Sequence, residues 1–90
     1  MKIVINSCYG GFSLSEVAET RYQNESGNNV AHWDIPRNDP ILVNIVEELA
    51  EDSWGAYAEL KVIEIPDEVE WQIDEFDGSE WVAEVHRTWS

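Results

Sequence analysis

Fourteen acidic side chains and one basic one, Lys61, lie between Glu47 and Glu84, which gives 38 residues a formal charge of −13. The 46 residues before them hold five acids against Lys2, Arg21 and Arg37, and the whole chain stands at −14. Clustered carboxylates can chelate a metal ion or present a negative field to a positive surface. A calcium loop needs acids or amides at alternate positions before its glycine. Reading back from Gly78, Asp77 fits, Glu75 is a substitute and Ile73 fails. A hairpin turn accounts better for Asp77-Gly78, and general acidity supports no more than a weak, nonspecific Ca²⁺ or Mg²⁺ site. No cofactor is expected.

The field has a natural target. Charge of one sign opposes compaction, yet 43% of the residues are apolar and five are tryptophan, which is the composition of a folded domain and not of a disordered acidic tail. The strongly positive surfaces of a cell are mostly nucleic-acid-binding grooves. Nucleic acid itself and anionic membranes would be repelled.

Cys8-Tyr9-Gly10-Gly11 offers a second chemistry. A thiol near a helix N-terminus can have a lowered pKa, and glycine amides there can hold an anion. The candidate bases are His32 and His86, both distant in sequence. A small buried thiol followed by a tight turn is the plainer account, and no enzymatic activity is expected. A single cysteine forms no internal disulfide, in keeping with a reducing, cytoplasmic setting. The apolar run Ile3–Ile5 is too short for a signal-peptide core, and no stretch approaches the roughly 18 residues of a membrane span.

The elements that must position these residues follow from their patterning. Lys2–Asn6 is a β-branched run that stops at a Gly-rich loop and reads as a strand. Ser13 and Glu16 form an S-x-x-E capping box; Leu14, Val17, Ala18 and Tyr22 share a helical face, and this helix should end before Asn24. Val30–Ile35 is a short edge strand or an ordered loop, ended by Pro36. Asn38 or Asp39 caps a second helix with Pro40 at its first position and Leu42, Ile45, Val46 and Leu49 as its stripe; residues Asp52 to Gly55 close it. A strand spans Leu60–Ile65, where the adjacent Val62 and Ile63 point to burial on both faces or to a bulge. The last segment is a β-hairpin. The chain, residues 1–90, thus reads as a single α+β domain, two helices packed on one face of a small antiparallel-rich sheet that ends in a hairpin.

The hairpin register decides where the acids go. A two-residue Asp77-Gly78 turn pairs Asp74 with Trp81 and mixes acids with apolar residues on both faces. A three-residue loop, Phe76-Asp77-Gly78, pairs Ile73 with Trp81 and Trp71 with Ala83. It leaves Glu70 opposite Glu84 and Asp74 opposite Glu80 on one acidic face, so patterning favours it. Like charges so placed are destabilising, and with strands about 4.8 Å apart they make a lattice roughly comparable with backbone phosphates. Glu68, and Glu47, Glu48, Glu51 and Asp52 at a helix C-terminus where cations are favoured, extend the candidate surface. Trp71 and Trp81 are assigned to the core, whereas Trp33, Trp54 and Trp89 are candidate anchors for a protein partner.

Lys2-Ile3-Val4-Ile5-Asn6, followed by Cys8-Tyr9-Gly10-Gly11-Phe12 and Leu14-Ser15, resembles the start of a group of small bacteriophage and prophage proteins. Arg37-Asn38-Asp39-Pro40, Val46-Glu47-Glu48-Leu49, Leu60-Lys61-Val62, Ile65-Pro66-Asp67 and the segment from Asp77-Gly78 through Trp81-Val82-Ala83-Glu84 are similar to the same group. The resemblance implies a viral origin, and small acidic phage proteins include anti-CRISPR proteins and other nucleic-acid mimics that block host defence. The expectation is therefore an inhibitor whose acidic surface engages a positively charged host protein, a CRISPR effector complex first among the candidates. The alternative is a phage domain that binds a ligand at the Cys8–Gly11 loop and whose acidity serves solubility only.

Overall fold

The computed structural model describes residues 1–85. The chain runs β1 (Lys2–Asn6), α1 (Glu16–Ser26), a 3₁₀ turn (His32–Asp34), α2 (Pro40–Leu49), a second 3₁₀ turn (Ala50–Ser53), β2 (Leu60–Glu64), β3 (Trp71–Phe76) and β4 (Ser79–Glu84). The fold is α+β. Among the described residues the strands form two antiparallel pairs, β1–β2 and β3–β4, not one continuous sheet.

The strand β1 is buried along Ile3, Val4 and Ile5 because both of its faces are covered. Val4 belongs to the helix-side core with Leu14, Ala18, Tyr22, Leu42, Ile45, Val46 and Leu60. Ile3 and Ile5 alternate onto the opposite face. Val62 lies across from Val4 and Ile63 across from Ile3 in an unbroken register, so the adjacent apolar pair in β2 marks a strand used on both faces and not a bulge. Each fully buried aliphatic side chain here contributes about 1.5–3 kcal/mol of transfer free energy.

The helix α2 follows its sequence signals. Asp39 is the N-cap, its Oδ1 accepting the Ile41 amide at 2.8 Å, and Pro40 opens the first turn. Leu42, Ile45 and Val46 are buried, joined by Val43. The helix stops at Leu49, before the Asp52–Gly55 stretch that the sequence offers as its end. In α1 the cap is Ser15, whose Oγ accepts the Ala18 amide, and not Ser13. The reason is tertiary: Leu14 bridges Trp54 and the Ser13 carbonyl accepts the Gly55 amide, which keeps residues 13 and 14 extended. The helix then continues past Asn24 to Ser26 and ends on left-handed Gly27 (φ 73°), because polarity alone does not stop a helix and an αL glycine does. Val17 consequently points to solvent, 62% exposed, and α1 docks through Ala18 and Tyr22. The Tyr22 hydroxyl donates to Asp39 Oδ2 at 2.7 Å and ties α1 to the cap of α2. Burial, then the Asp39 carboxylate, pushes the Tyr22 phenol up to about 12.

The hairpin differs from its expected register. Phe76 pairs with Ser79 across a two-residue turn, Asp74 with Trp81, and Ile73 with Val82. Asp77 (φ 55°) and Gly78 (φ 91°) are both left-handed, the backbone of a type I′ turn, for which Asp-Gly is a preferred pair. Patterning misled because it treats every acid as a solvent-facing residue. Glu80 is not one.

Candidate acidic surface

Glu80 lies on β4, its side chain only 10% exposed, facing an Arg37 side chain that is 18% exposed. The guanidinium grips the carboxylate with both arms, Nη1–Oε1 at 2.6 Å and Nη2–Oε2 at 2.9 Å. Such bidentate charge-assisted pairs are among the stronger polar contacts. Glu80 Oε1 also accepts the Asn6 amide at 2.8 Å, and the Arg37 carbonyl accepts the Val4 amide at 2.8 Å. Together the two residues satisfy the edge of β1 that β2 leaves open, an edge that would otherwise invite pairing with another chain. The Arg37 guanidinium carbon itself lies over the Phe12 ring, 3.6 Å from its centroid.

Asn6 completes this joint. Fully buried, it donates from Nδ2 to the carbonyls of Cys8 (2.7 Å) and Gly78 (2.8 Å) and accepts the Glu59 amide at Oδ1 (2.9 Å). One side chain thus links β1, the glycine loop, the entry to β2 and the hairpin turn. The glycines of that loop answer to packing. A Cβ on Gly10 would lie 1.7 Å from the Tyr57 carbonyl oxygen, and one on Gly78 would meet Gly11 N and Tyr9 O at 2.7 Å. The Cys8 thiol donates to the Tyr57 carbonyl at 2.9 Å. The loop read from sequence as a possible nucleophile or anion cradle is a platform on which the hairpin turn and the Tyr57 segment rest.

The remaining acids divide into neutralised and unpaired groups. Glu47 meets Lys2 at 2.9 Å, and Glu48 meets Arg21, which also reaches Glu25. The hydrogen bond and charge of Arg21 hold the Glu48 carboxyl below the usual carboxylate range. The unfavourable negative end of α2 is therefore offset by cations delivered from β1 and α1. Glu51 and Asp52 are exposed on the 3₁₀ turn after α2. Glu68 and Glu70 are exposed on the connection between β2 and β3.

In the observed register the four hairpin acids do not share a face. Glu80 and Glu84 alternate on the face of Trp71, Ile73 and Val82, whereas Asp74 lies with Gln72, Phe76, Trp81 and Ala83. The expected lattice of Glu70, Asp74, Glu80 and Glu84 is thus not formed, and Glu80 is largely withdrawn from the surface into its pair with Arg37. The like-charge juxtaposition that does occur, Glu75 opposite Glu80, is relieved by Arg37.

Trp81, expected in the core, is 47% exposed, and Phe76 beside it is 69% exposed. Trp33 is exposed as anticipated, whereas Trp54 packs against the core. Trp89 and His86 lie outside the described residues.

The Arg37–Glu80–Asn6 joint escaped sequence reasoning. Its one signal was Asn6, a polar residue closing an apolar strand. Comparison with protein-family models, curated proteins and solved structures finds no match for this chain. Among the described residues no helix is long and apolar enough to cross a membrane.

Proposed function

We propose that this chain is a non-enzymatic inhibitor, of phage origin and acting in the host cytoplasm, that presents carboxylates to the nucleic-acid-binding surface of a positively charged host protein. The observation that carries the reading is how the cations are spent. From Glu64 to Glu84 the chain has no lysine or arginine. The cations that form ion pairs with this stretch among the described residues are Arg37, consumed by Glu80, and the N-terminal ammonium, paired with Asp67 at 2.5 Å. Lys2, opposite Glu64 in the strand register, is paired with Glu47. Glu68, Glu70 and Glu84 stand exposed with no ion-pair partner among the described residues. A surface built for stability alone would have interleaved lysines among them. The resemblance to small phage proteins places a CRISPR effector complex first among the partners to try.

The test is capture from host lysate on the immobilised protein at low and at moderate salt. The bound fraction should consist of nucleic-acid-binding proteins, fall steeply with salt and be displaced by added nucleic acid. Reversal of Glu68, Glu70 and Glu84 to lysine together should abolish capture while circular dichroism stays unchanged. Glu80 is excluded from that set because it holds the fold. Capture that ignores both salt and the triple reversal would reduce the acidity to a solubility device.

A further inference from the structure

Beside the exposed acids, a cleft of about 240 Å³ opens between the β2–β3 connection and the hairpin, lined by Ile65, Pro66, Val69, Trp71, Val82 and Glu84. We infer that this cleft is the receptor for one arginine side chain of the partner, an inference that rests on the proposed function and names its anchoring contact. Small-molecule sites run to roughly 300–1,000 Å³, so this volume suits a single side chain and not a cofactor. Its chemistry selects which one.

Five of the six lining residues are apolar or aromatic, and the sixth is a carboxylate. Trp71 and Glu84 are direct cross-strand partners, so an indole and an acid stand side by side on the same wall. Guanidinium is the group that uses both at once. Its weakly hydrated flat face stacks on an aromatic ring, its edge donates two parallel hydrogen bonds to a carboxylate, and its methylene stem lies on apolar wall. A lysine ammonium, compact and strongly hydrated, satisfies the carboxylate but gains less from the indole. Glu68 and Glu70, exposed on the adjoining connection, draw cations toward the cleft and repel acidic partners. The same molecule already shows the pairing in miniature, since Arg37 lies over Phe12 while its edge grips Glu80.

The experiment is a ¹⁵N-correlation NMR titration of the full chain with N-acetyl-argininamide, run against the citrulline analogue, which keeps the planar shape but has a carbonyl oxygen in place of one guanidinium nitrogen and so carries no charge and fewer donors. The expected result is saturable shifts at the Trp71 indole N–H and at the Val69, Val82 and Glu84 amides in the millimolar range, absent with citrulline. Glu84→Gln, a surface change that leaves the fold intact, should weaken binding roughly two- to fivefold. Trp71→Leu should weaken it further, and retained chemical shifts at the Phe76–Glu80 amides and at Asn6 would show that the hairpin of that variant is still formed and docked. Shifts scattered evenly over all exposed acids, or equal for citrulline, overturn the arginine site. If arginine binds as described but lysate capture is insensitive to salt, the pocket stands and the mimicry reading falls. If capture is salt-sensitive while the titration shows nothing at Trp71, the mimicry reading stands and the pocket falls.

Discussion

The pair β1–β2 with its helices and the hairpin β3–β4 are both two-stranded antiparallel units, yet they are held in different ways. In the first, Ile3, Val4, Leu42 and Ile45 lose almost all contact with water, and stability comes from apolar burial. In the second, Trp71, Ile73 and Val82 are only half-buried, and Phe76 and Trp81 are more exposed still. An isolated hairpin is marginal in water. This one is fastened to the body by the Glu80–Arg37 pair and by Asn6 on the Gly78 carbonyl. The 21 residues 65–85, with eight acids and no lysine or arginine, are therefore secured by a few polar contacts, whereas residues 1–64, which carry the core, set four lysines and arginines against eleven acids. Self-repulsion is thus densest where little depends on apolar packing.

Core truncation should distinguish the halves most sharply. Leu42→Ala should cost about 2–5 kcal/mol in urea unfolding, whereas Ile73→Ala, half-buried in the hairpin, should cost only about 1 kcal/mol. Equal losses would mean that the hairpin belongs to the main core after all.

Next in size is the joint. Asn6→Ala leaves the Glu59 amide and the Gly78 and Cys8 carbonyls without their partner, and should cost about 2–3 kcal/mol. Glu80→Gln removes a partly buried ion pair and should cost about 1–3 kcal/mol. Both should lower hydrogen-exchange protection in β3 and β4 ahead of β1 and α2. Protection lost uniformly across all four elements would show that the hairpin does not open by itself.

The turn gives a smaller, local effect. Gly78→Ala must hold a positive φ and press its methyl on Gly11 N and Tyr9 O. It should cost about 1–2 kcal/mol and shift the amides of residues 9–11. A neutral outcome would mean that the turn does not rest on the loop.

The least perturbing test concerns the body. Folding raises the Tyr22 phenol from 10.0 to about 12, so the folded chain holds that proton more tightly than the unfolded chain does. The resulting stabilisation is complete below about pH 10 and is lost as pH rises toward 12. Tyr22→Phe should flatten the fall of the urea midpoint across that window. An unchanged alkaline slope would show that Tyr22 is not the group responsible.

Much of the body is legible in the sequence alone. Asp39-Pro40 and the spacing of Leu42, Ile45 and Val46 specify α2 because cap chemistry and a 3.6-residue period are local properties. The β-branched run Lys2–Asn6 likewise specifies β1, and the turn residues Asp77-Gly78 announce a hairpin. What lay outside local reach is instructive. Ser13 had every qualification as a cap, but Trp54 and Gly55, distant in sequence, hold residues 13 and 14 extended.

The hairpin register turned on a single long-range pair. Counting acids as solvent-facing residues excluded the two-residue turn, since the chain itself does not reveal that Arg37, forty-three residues upstream of Glu80, would neutralise one of them. The sequence by itself determined the sign and the position of the charge, because those are properties of composition and order. Only the tertiary structure decided which carboxylates remain available. A carboxylate spent on a cation and one left to a partner are the same residue in the chain, and they differ only in what folding brings within about 3 Å of them.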